Sequence, residues 1–300
     1  MDHLSTDLSS DVEDLLAGRE WGRICALAGE CQRDLAECAD SYGGLFLARP
    51  FDPALFGTLA FACAFGGPWL TPDQLRVAAR TCLWCFGLDW LVDYVATTPG
   101  EVDGIVRRCL AVAGGAAPGP DDELTRFLAD IRDDLSAAGT FPALHPIWYD
   151  ELRRMLTAMA RERDWRSAGD ARPTFDEYLH NADNLGFSFV YVSHWFLAGE
   201  PVPAERVGEL RAAGWEVQRV IRLLNDLGTY ERDVTWGDLN ALMLGVTRSD
   251  VSRRVAALTD HCRELIRPLR VEHPKLTVYL SRQIGFNMGF YRIGDYWGTL

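Results

Sequence analysis

The segment RLLNDLGTYERD, residues 222–233, ends a long apolar run and carries polar side chains at a regular spacing. A helix places Asn225, Thr229 and Asp233, which follow one another at four-residue intervals, on one of its faces. An amide, a hydroxyl and a carboxylate together suit a hard divalent cation such as Mg²⁺. The Asn-Asp pair followed by Gly228 also costs about 1 kcal/mol or more of helix stability relative to alanine. The stripe therefore predicts a metal site, and side chains that simply face water are the alternative.

A second acidic segment, FGLDWLVDYV at residues 86–95, lies earlier in the chain. Asp89 and Asp93 are spaced i and i+4, so both carboxylates project from one face of a helix. Two carboxylates within an apolar run are costly unless they meet a cation or stay at a solvated opening. A pair of surface acids at a helix end is the alternative. Taken together, the two segments predict two walls of one metal site.

Long helical patterns with few breaks fill the rest of the chain. The sequence of 300 residues is 48% hydrophobic and 11% aromatic, which is enough to bury a sizeable core. Because sustained strand-type alternation is missing, we expect one all-α domain over residues 1–300, with helices packed around an apolar interior. The predicted helices span residues 9–38, 53–65, 72–97, 101–113, 122–138, 143–164, 174–197, 203–233, 248–270 and 274–297. Plausible helix caps are Asp52 before Pro53, Thr71 before Pro72 and Thr174 ahead of Glu177.

Charge and hydropathy argue against two classes of partner. The formal net charge is −13 and the pI is near 4.9, whereas a nucleic-acid partner requires a clustered basic surface. No apolar run reaches about 18 residues, so we expect no membrane span. The N-terminal segment is acidic and polar, unlike a signal peptide. We therefore expect a cytoplasmic protein with reduced thiols.

Eight cysteines are present, and Cys82 and Cys85 form a CxxC. This pair lies in the apolar helical run TCLWCFGLDWLV without a second CxxC, so core packing is favoured over a zinc or redox site. Lys275 is the single lysine, and the other basic residues are arginines, which are well suited to bidentate phosphate binding.

The two acidic segments resemble the signature motifs of class I terpene synthases. In that family an FxxDDxxD motif and an (N/D)DxxSxxxE motif hold three Mg²⁺ ions at the mouth of a helical barrel. Phe86, Asp89 and Asp93 match the first motif, with Trp90 in place of its second acid. The segment 225–233 matches the second motif, with threonine for serine and aspartate for glutamate, and both changes keep the ligand oxygens.

The resemblance covers essentially the whole chain and implies a single-domain helical barrel with an apolar central cavity. It also implies that a prenyl diphosphate is ionised with Mg²⁺, loses pyrophosphate and rearranges as a carbocation in a water-excluding pocket. The implied catalytic metal ligands are Asp89, Asp93, Asn225, Thr229 and Asp233. Aromatic residues available for the pocket, with ordinary core packing as the alternative for each, are Phe86, Trp90, Phe187, Tyr191, Trp195, Phe286, Phe290 and Tyr291.

One feature of the family is missing. Members usually carry an arginine that senses the diphosphate in a YLxxR-type helix, whereas residues 178–195 read YLHNADNLGFSFVYVSHW with Ala182 at that position. Asn181 or Asn184 can partly replace the sensor, and Gly186 allows a helix break near the substrate.

Arginines elsewhere provide further diphosphate ligands, with solvated surface charges as the alternative. Arg222 lies one turn before Asn225, and Arg292 corresponds loosely to the family's C-terminal Arg-Tyr pair. We expect Arg232 to face the same region.

The missing sensor and the phrases GFSF and NDLGTYERD are most similar to bacterial diterpene synthases. This similarity implies a C20 substrate, either geranylgeranyl diphosphate or a labdane-type bicycle such as copalyl diphosphate. Because the chain has no DxDD motif, a class II diterpene cyclase would be the pathway partner that makes the bicycle. A sesquiterpene synthase acting on farnesyl diphosphate is the alternative, and a prenyl elongase or a non-catalytic helical binding protein is less favoured. A homodimer is plausible for the fold.

Overall fold

The computed structural model describes residues 3–167 and 172–298, with side chains described for 12–166 and 172–298. Every regular element in these ranges is helical, so the predicted all-α fold is confirmed. The α-helices are α1 (His3–Ser41), α2 (Pro53–Gly66), α3 (Pro72–Trp90), α4 (Pro99–Ala113), α5 (Glu123–Ser136), α6 (Phe141–Ser167), α7 (Phe175–His180), α8 (Phe187–Trp195), α9 (Ala204–Trp236), α10 (Arg248–Leu269) and α11 (Pro274–Phe290). A π-turn occupies Leu91–Val95, and 3₁₀ turns occupy Ala182–Leu185 and Ala241–Met243.

One apolar core connects the helices. α1 packs on α2 and α3, α10 and α11 pack on α9, and α6 packs on α4, α8 and the 3₁₀ turn before α8. Three tryptophans, Trp84, Trp148 and Trp195, are among the largest fully buried side chains. Within the described residues, none of the helices combines the length and apolar character that a membrane span requires.

Helix starts follow the predicted capping residues. The Asp52 carboxylate accepts hydrogen bonds from the first backbone N–H groups of α2. Thr71 and Thr174 form capping boxes with Gln74 and Glu177 at the starts of α3 and α7. The predicted helices at 53–65, 101–113 and 248–270 agree with α2, α4 and α10 to within two residues at each end.

The predicted helix 72–97 is wrong in its last turns. α3 ends at Trp90 and continues as the π-turn, where the Ala96 N–H donates to the Leu91 carbonyl over 2.8 Å. A π-turn adds a residue to the turn and rotates the side chains that follow, and such turns are frequent at functional sites. Asp93 lies within this turn, whereas Asp89 lies in regular helix.

The predicted helix 174–197 is broken between α7 and α8. Gly186 has a φ of +73°, which places it in the left-handed region that favours glycine. A Cβ at this position would lie 2.8 Å from the Met155 sulfur and 3.3 Å from the Cys85 sulfur. Both conformation and space therefore require glycine, and the break predicted at this residue is present.

The predicted helix 274–297 is also too long, because α11 ends at Phe290. Immediately beyond it, Tyr291 packs against α9 at Gly228, where a Cβ would lie 2.7 Å from the Tyr291 carbonyl oxygen. This contact explains an otherwise unfavourable glycine in the middle of α9. Residues 291–298, hereafter the C-terminal segment, then turn away from the axis of α11.

We expect Gly228→Ala to destabilise the protein by about 1–3 kcal/mol, because the added methyl meets backbone that cannot rotate away. The matched control is Gly208→Ala on the same helix, where a Cβ meets nothing within 4 Å. This control should gain up to about 1 kcal/mol from helix propensity. Urea unfolding measures both, and equal stabilisation of the two variants would contradict the close contact.

Candidate active site

A polar cavity of about 120 Å³ lies between α3, α6, α9 and the C-terminal segment. Asp89 and Asp93 line it from the end of α3 and its π-turn, and Asn225 and Asp233 line it from α9. Four of the five metal ligands that the sequence analysis proposes therefore meet at one cavity. They occupy facing walls, as the spacing within each segment predicts.

Thr229, the fifth, does not line the cavity. Its hydroxyl is buried, 2.7 Å from Oδ2 of Asp233 and 2.9 Å from the Asn225 carbonyl. Asn240 donates to the same Oδ2 over 2.8 Å. In this structure Thr229 therefore positions the Asp233 carboxylate from behind, rather than presenting its own oxygen to the cavity.

Negative charge is in excess around the polar cavity. Among the described residues, the carboxylates that line it are Asp89, Asp93, Glu162, Asp233 and Asp238, and the arginines are Arg222 and Arg232. Burial, followed by the charges of Asp238 and Glu162, raises the pKa of Asp89 to about 7, although Arg232 and Arg222 oppose the shift. Burial and the neighbouring Asp89 raise the pKa of Asp93 well above its usual value. The site is therefore short of positive charge.

Arg166 on α6 joins the two acidic walls, and the sequence analysis missed it. Its guanidinium lies 2.9 Å from Asp93 and 3.1 Å from Asp238. Tyr94 donates to Asp238 over 2.5 Å, and Arg163 donates to the Asp93 carbonyl over 3.1 Å. The position of Asp93 is thus fixed from α6. Local spacing carries no signal for this contact, because α6 is remote from both motifs in sequence.

Arg222 is the buried cation of the cavity. It donates to Glu162 over 3.0 Å and to the Tyr178 hydroxyl over 2.6 Å. Tyr178 in turn donates to Asp226 over 2.7 Å. Its Nη2 also donates to the Leu239 carbonyl over 3.2 Å. A guanidinium held in this way is oriented before any ligand arrives, and its Nη1 is left to donate to an anion.

Arg232 lines the same cavity from ten residues further along α9. It contacts Asp233 at 2.8 Å and Asp295 of the C-terminal segment at 3.0 Å. One guanidinium therefore connects a predicted metal ligand with the segment that closes the cavity.

Two other predicted diphosphate ligands do not reach the cavity. Arg292 is exposed, because α11 ends before it and the chain turns. Asn181 is buried, and its amide donates to the Ala158 carbonyl over 2.9 Å. Asn184 lines the cavity instead and donates to Glu162. Its Oδ1 is buried without a hydrogen-bond partner among the described residues.

An apolar cavity of about 110 Å³ adjoins the polar one. Residues that line both are Cys85, Phe86, Leu185, Tyr291 and Tyr296. Phe187 also lines the apolar cavity, as do Cys63 and Cys82. The CxxC cysteines are free thiols in this wall.

The C-terminal segment covers the polar cavity with aromatic rings. Trp297 packs 5.0 Å from Phe86 and 6.0 Å from Trp90, between ring centroids. Tyr296 packs 5.5 Å from Phe86. Trp90, which replaces the second acid of the motif, therefore supports this cover and does not line either cavity.

The remaining predicted pocket aromatics lie outside both cavities. Tyr191 stacks on Phe187 with ring centroids 6.2 Å apart, and Trp195 packs on Tyr191 at 5.4 Å. Phe286 stacks on Phe290 at 5.7 Å. Tyr191 and Trp195 belong to the buried core, and Phe290 packs against it.

A polar stripe on α11 was missed from the sequence. Tyr279, Gln283, Asn287 and Tyr291 follow one another at four-residue intervals and line the apolar cavity. The same periodicity that indicated the two acidic segments was available in YLSRQIGFNMGFY. Gln283 and Asn287 were missed because their amides are uncharged and because they line an apolar cavity, where polar site residues are not expected.

Comparison with known proteins agrees with this geometry. Ent-pimara-9(11),15-diene synthase of Streptomyces sp. (strain KO-3988) is 25% identical over 277 residues, covering 89% of this chain and 91% of the relative. Isopimaradiene synthase of Isodon rubescens is 33% identical over 122 residues, which are 38% of this chain and 16% of the plant protein.

Solved structures show the fold. The 2-methylisoborneol synthase from Streptomyces coelicolor A3(2), in complex with Mg²⁺ and 2-fluoroneryl diphosphate, superposes with a TM-score of 0.75 at 15% identity, covering 92% of this chain and 94% of that one. The family model described as terpene synthase family 2, C-terminal metal binding, matches residues 81–268. Because this match spans more than half of the sequence, the chain belongs to the terpene synthase family, whose members are lyases that act on prenyl diphosphates.

Proposed function

We propose that the chain is a Mg²⁺-dependent class I diterpene synthase that ionises a C20 prenyl diphosphate, either geranylgeranyl diphosphate or a labdane-type bicycle such as copalyl diphosphate. The observation that carries the proposal is the junction of a carboxylate-lined cavity with an apolar one through shared wall residues. A prenyl diphosphate requires this pair of environments, one for its charged head and one for its hydrocarbon. The similarity to a diterpene synthase over nearly the whole chain favours the C20 length.

The charge of the polar cavity supports a role for divalent cations. An anionic diphosphate entering beside five carboxylates and two arginines meets net repulsion, unless cations bridge the two sets of oxygens. Asp89 and Asp93 would hold Mg²⁺ on one wall, and Asn225 and Asp233 on the other, because hard cations prefer such oxygen donors. When bound, Mg²⁺ neutralises the diphosphate and improves it as a leaving group. Three ions is the expected number.

The chain's own residues perform the remaining tasks. Arg222 and Arg232 offer N–H donors to the diphosphate oxygens, and Arg222 stands in for the missing sensor. Trp297 and Tyr296 exclude water from the ionising bond. The face of Phe86, which lines both cavities, stabilises positive charge as it develops on the allylic carbon.

We expect Asp89→Asn and Asn225→Ala each to lower turnover by about 10³-fold or more, because the first removes the negative charge of a metal ligand and the second removes an oxygen ligand. Circular dichroism should stay unchanged, since Asp89 is buried among like charges and its carboxylate does not stabilise the fold. The matched control is Asp73→Asn, an exposed acid in the first turn of the same helix, which should keep full activity. Near-normal turnover in either site variant would refute the metal assignment.

Substrate length is tested by supplying geranyl, farnesyl, geranylgeranyl and copalyl-type diphosphates separately with Mg²⁺ and reading extracts by gas chromatography–mass spectrometry. We expect a diterpene from a C20 substrate, and none when EDTA removes the metal. Efficient turnover of farnesyl diphosphate alone would instead establish a sesquiterpene synthase. No product from any substrate, with no rise in melting temperature on adding Mg²⁺ and pyrophosphate, would favour a non-catalytic binding protein.

A class II diterpene cyclase as pathway partner, a homodimer and a cytoplasmic location stay predictions from the sequence. A product formed from the bicyclic diphosphate alone would support the first of them, because this chain would then depend on another enzyme for its substrate.

A further inference from the structure

The polar stripe on α11 places two amides in the cavity proposed for the hydrocarbon. Gln283 and Asn287 are 5% and 3% exposed, and both line the apolar cavity. The Gln283 amide nitrogen donates to the Ala62 carbonyl over 2.9 Å, and that of Asn287 donates to the Gln283 carbonyl over 2.8 Å. No described residue donates a hydrogen bond to either amide oxygen. Each side chain is thus anchored through its nitrogen and has an acceptor left over.

The neighbouring helix accommodates this arrangement at Gly66. A Cβ there would lie 2.4 Å from the Gln283 amide nitrogen and 2.8 Å from the Tyr279 ring. Only a residue without a side chain lets the amide reach the backbone of α2. A leucine at position 283 would fill the apolar wall without leaving a buried amide oxygen that lacks a donor. Packing alone therefore does not account for the glutamine.

We propose that Gln283 and Asn287 hold one water molecule inside the hydrocarbon cavity, and that this water captures the carbocation, so that the product is a terpene alcohol. The inference rests on the proposed function and adds the class of its product. A buried water needs two to four polar partners and a space of about 15 Å³ or more. The two amide oxygens supply the partners, and the cavity of about 110 Å³ supplies the space.

The orientation of the water follows from the acceptors. Two carbonyl oxygens accept both hydrogens of the water, so its lone pairs face the substrate. The allylic C–O bond breaks and its electron pair leaves with the diphosphate. A lone pair of the water then forms the new C–O bond to the final cation. The resulting oxonium gives its proton to the released diphosphate, which leaves an alcohol and protonated pyrophosphate.

The first test uses the wild-type enzyme with Mg²⁺ and each C20 diphosphate in H₂¹⁸O. We expect an alcohol that is two mass units heavier than the product made in ordinary water. A contaminating phosphatase cleaves the P–O bond and keeps the substrate oxygen, so its alcohol carries no label. Hydrocarbons alone would overturn this inference and leave the proposed function standing. No turnover of any prenyl diphosphate would remove both.

The second test assigns the water to the stripe. Asn287→Leu loses only a bond within its own helix, and we expect the ratio of alcohol to hydrocarbon to fall about tenfold or more while substrate consumption persists. Gln283→Leu should act in the same direction, and circular dichroism checks that it folds without its bond to α2. The matched control is Ser281→Leu, which also replaces a polar side chain with leucine on α11 but at an exposed position. We expect this control to leave the ratio of alcohol to hydrocarbon unchanged. An unchanged ratio in a folded Asn287→Leu would place the water elsewhere and overturn the assignment.

Discussion

Buried like charge is the constraint on which the active-site end of this fold depends. Asp89, Asp93 and Asp238 line one cavity, where burial, followed by the charges of Asp238 and Glu162, raises the pKa of Asp89 to about 7. Arg166 and Arg222 hold the walls together by pairing with acids from different elements. The arrangement of these side chains therefore balances repulsion between carboxylates against their pairing with arginines. A cavity with this charge would attract cations and repel bare anions, as the proposed metal-dependent diphosphate site requires.

Helical periodicity explains how much of the site could be predicted from sequence. Asp89 and Asp93 were found because a four-residue interval is a property of one helix, and the same holds for Asn225 and Asp233. Thr229 belongs to the same stripe, yet it donates to its neighbours and does not reach the cavity. Spacing selects a face of a helix, and competition among neighbouring groups then decides which side chains on that face stay available.

Apart from the polar stripe on α11, the contacts that escaped prediction join remote parts of the chain. Arg166, Glu162 and Asp238 reach the site from α6 and from the loop after α9, so no interval within a motif reveals them. Arg292 was assigned from a loose correspondence to the family's C-terminal Arg-Tyr pair, whereas α11 ends before it, where Tyr291 makes a close contact with Gly228. The fold class follows from local patterns. The ends of helices and the cross-links of the cavity follow from tertiary packing.

Arg232 has a consequence for how the site assembles. Its guanidinium is shared between Asp233 on α9 and Asp295 in the covering segment. A cation bound at Asp233 would repel Arg232 and compete for the same carboxylate, which would shift the pairing of Arg232 toward Asp295. Cation occupancy and the seating of the cover would then be thermodynamically linked, and linkage is reciprocal. If the cation favoured closure of the cover by some factor, closure of the cover would raise the affinity for the cation by the same factor.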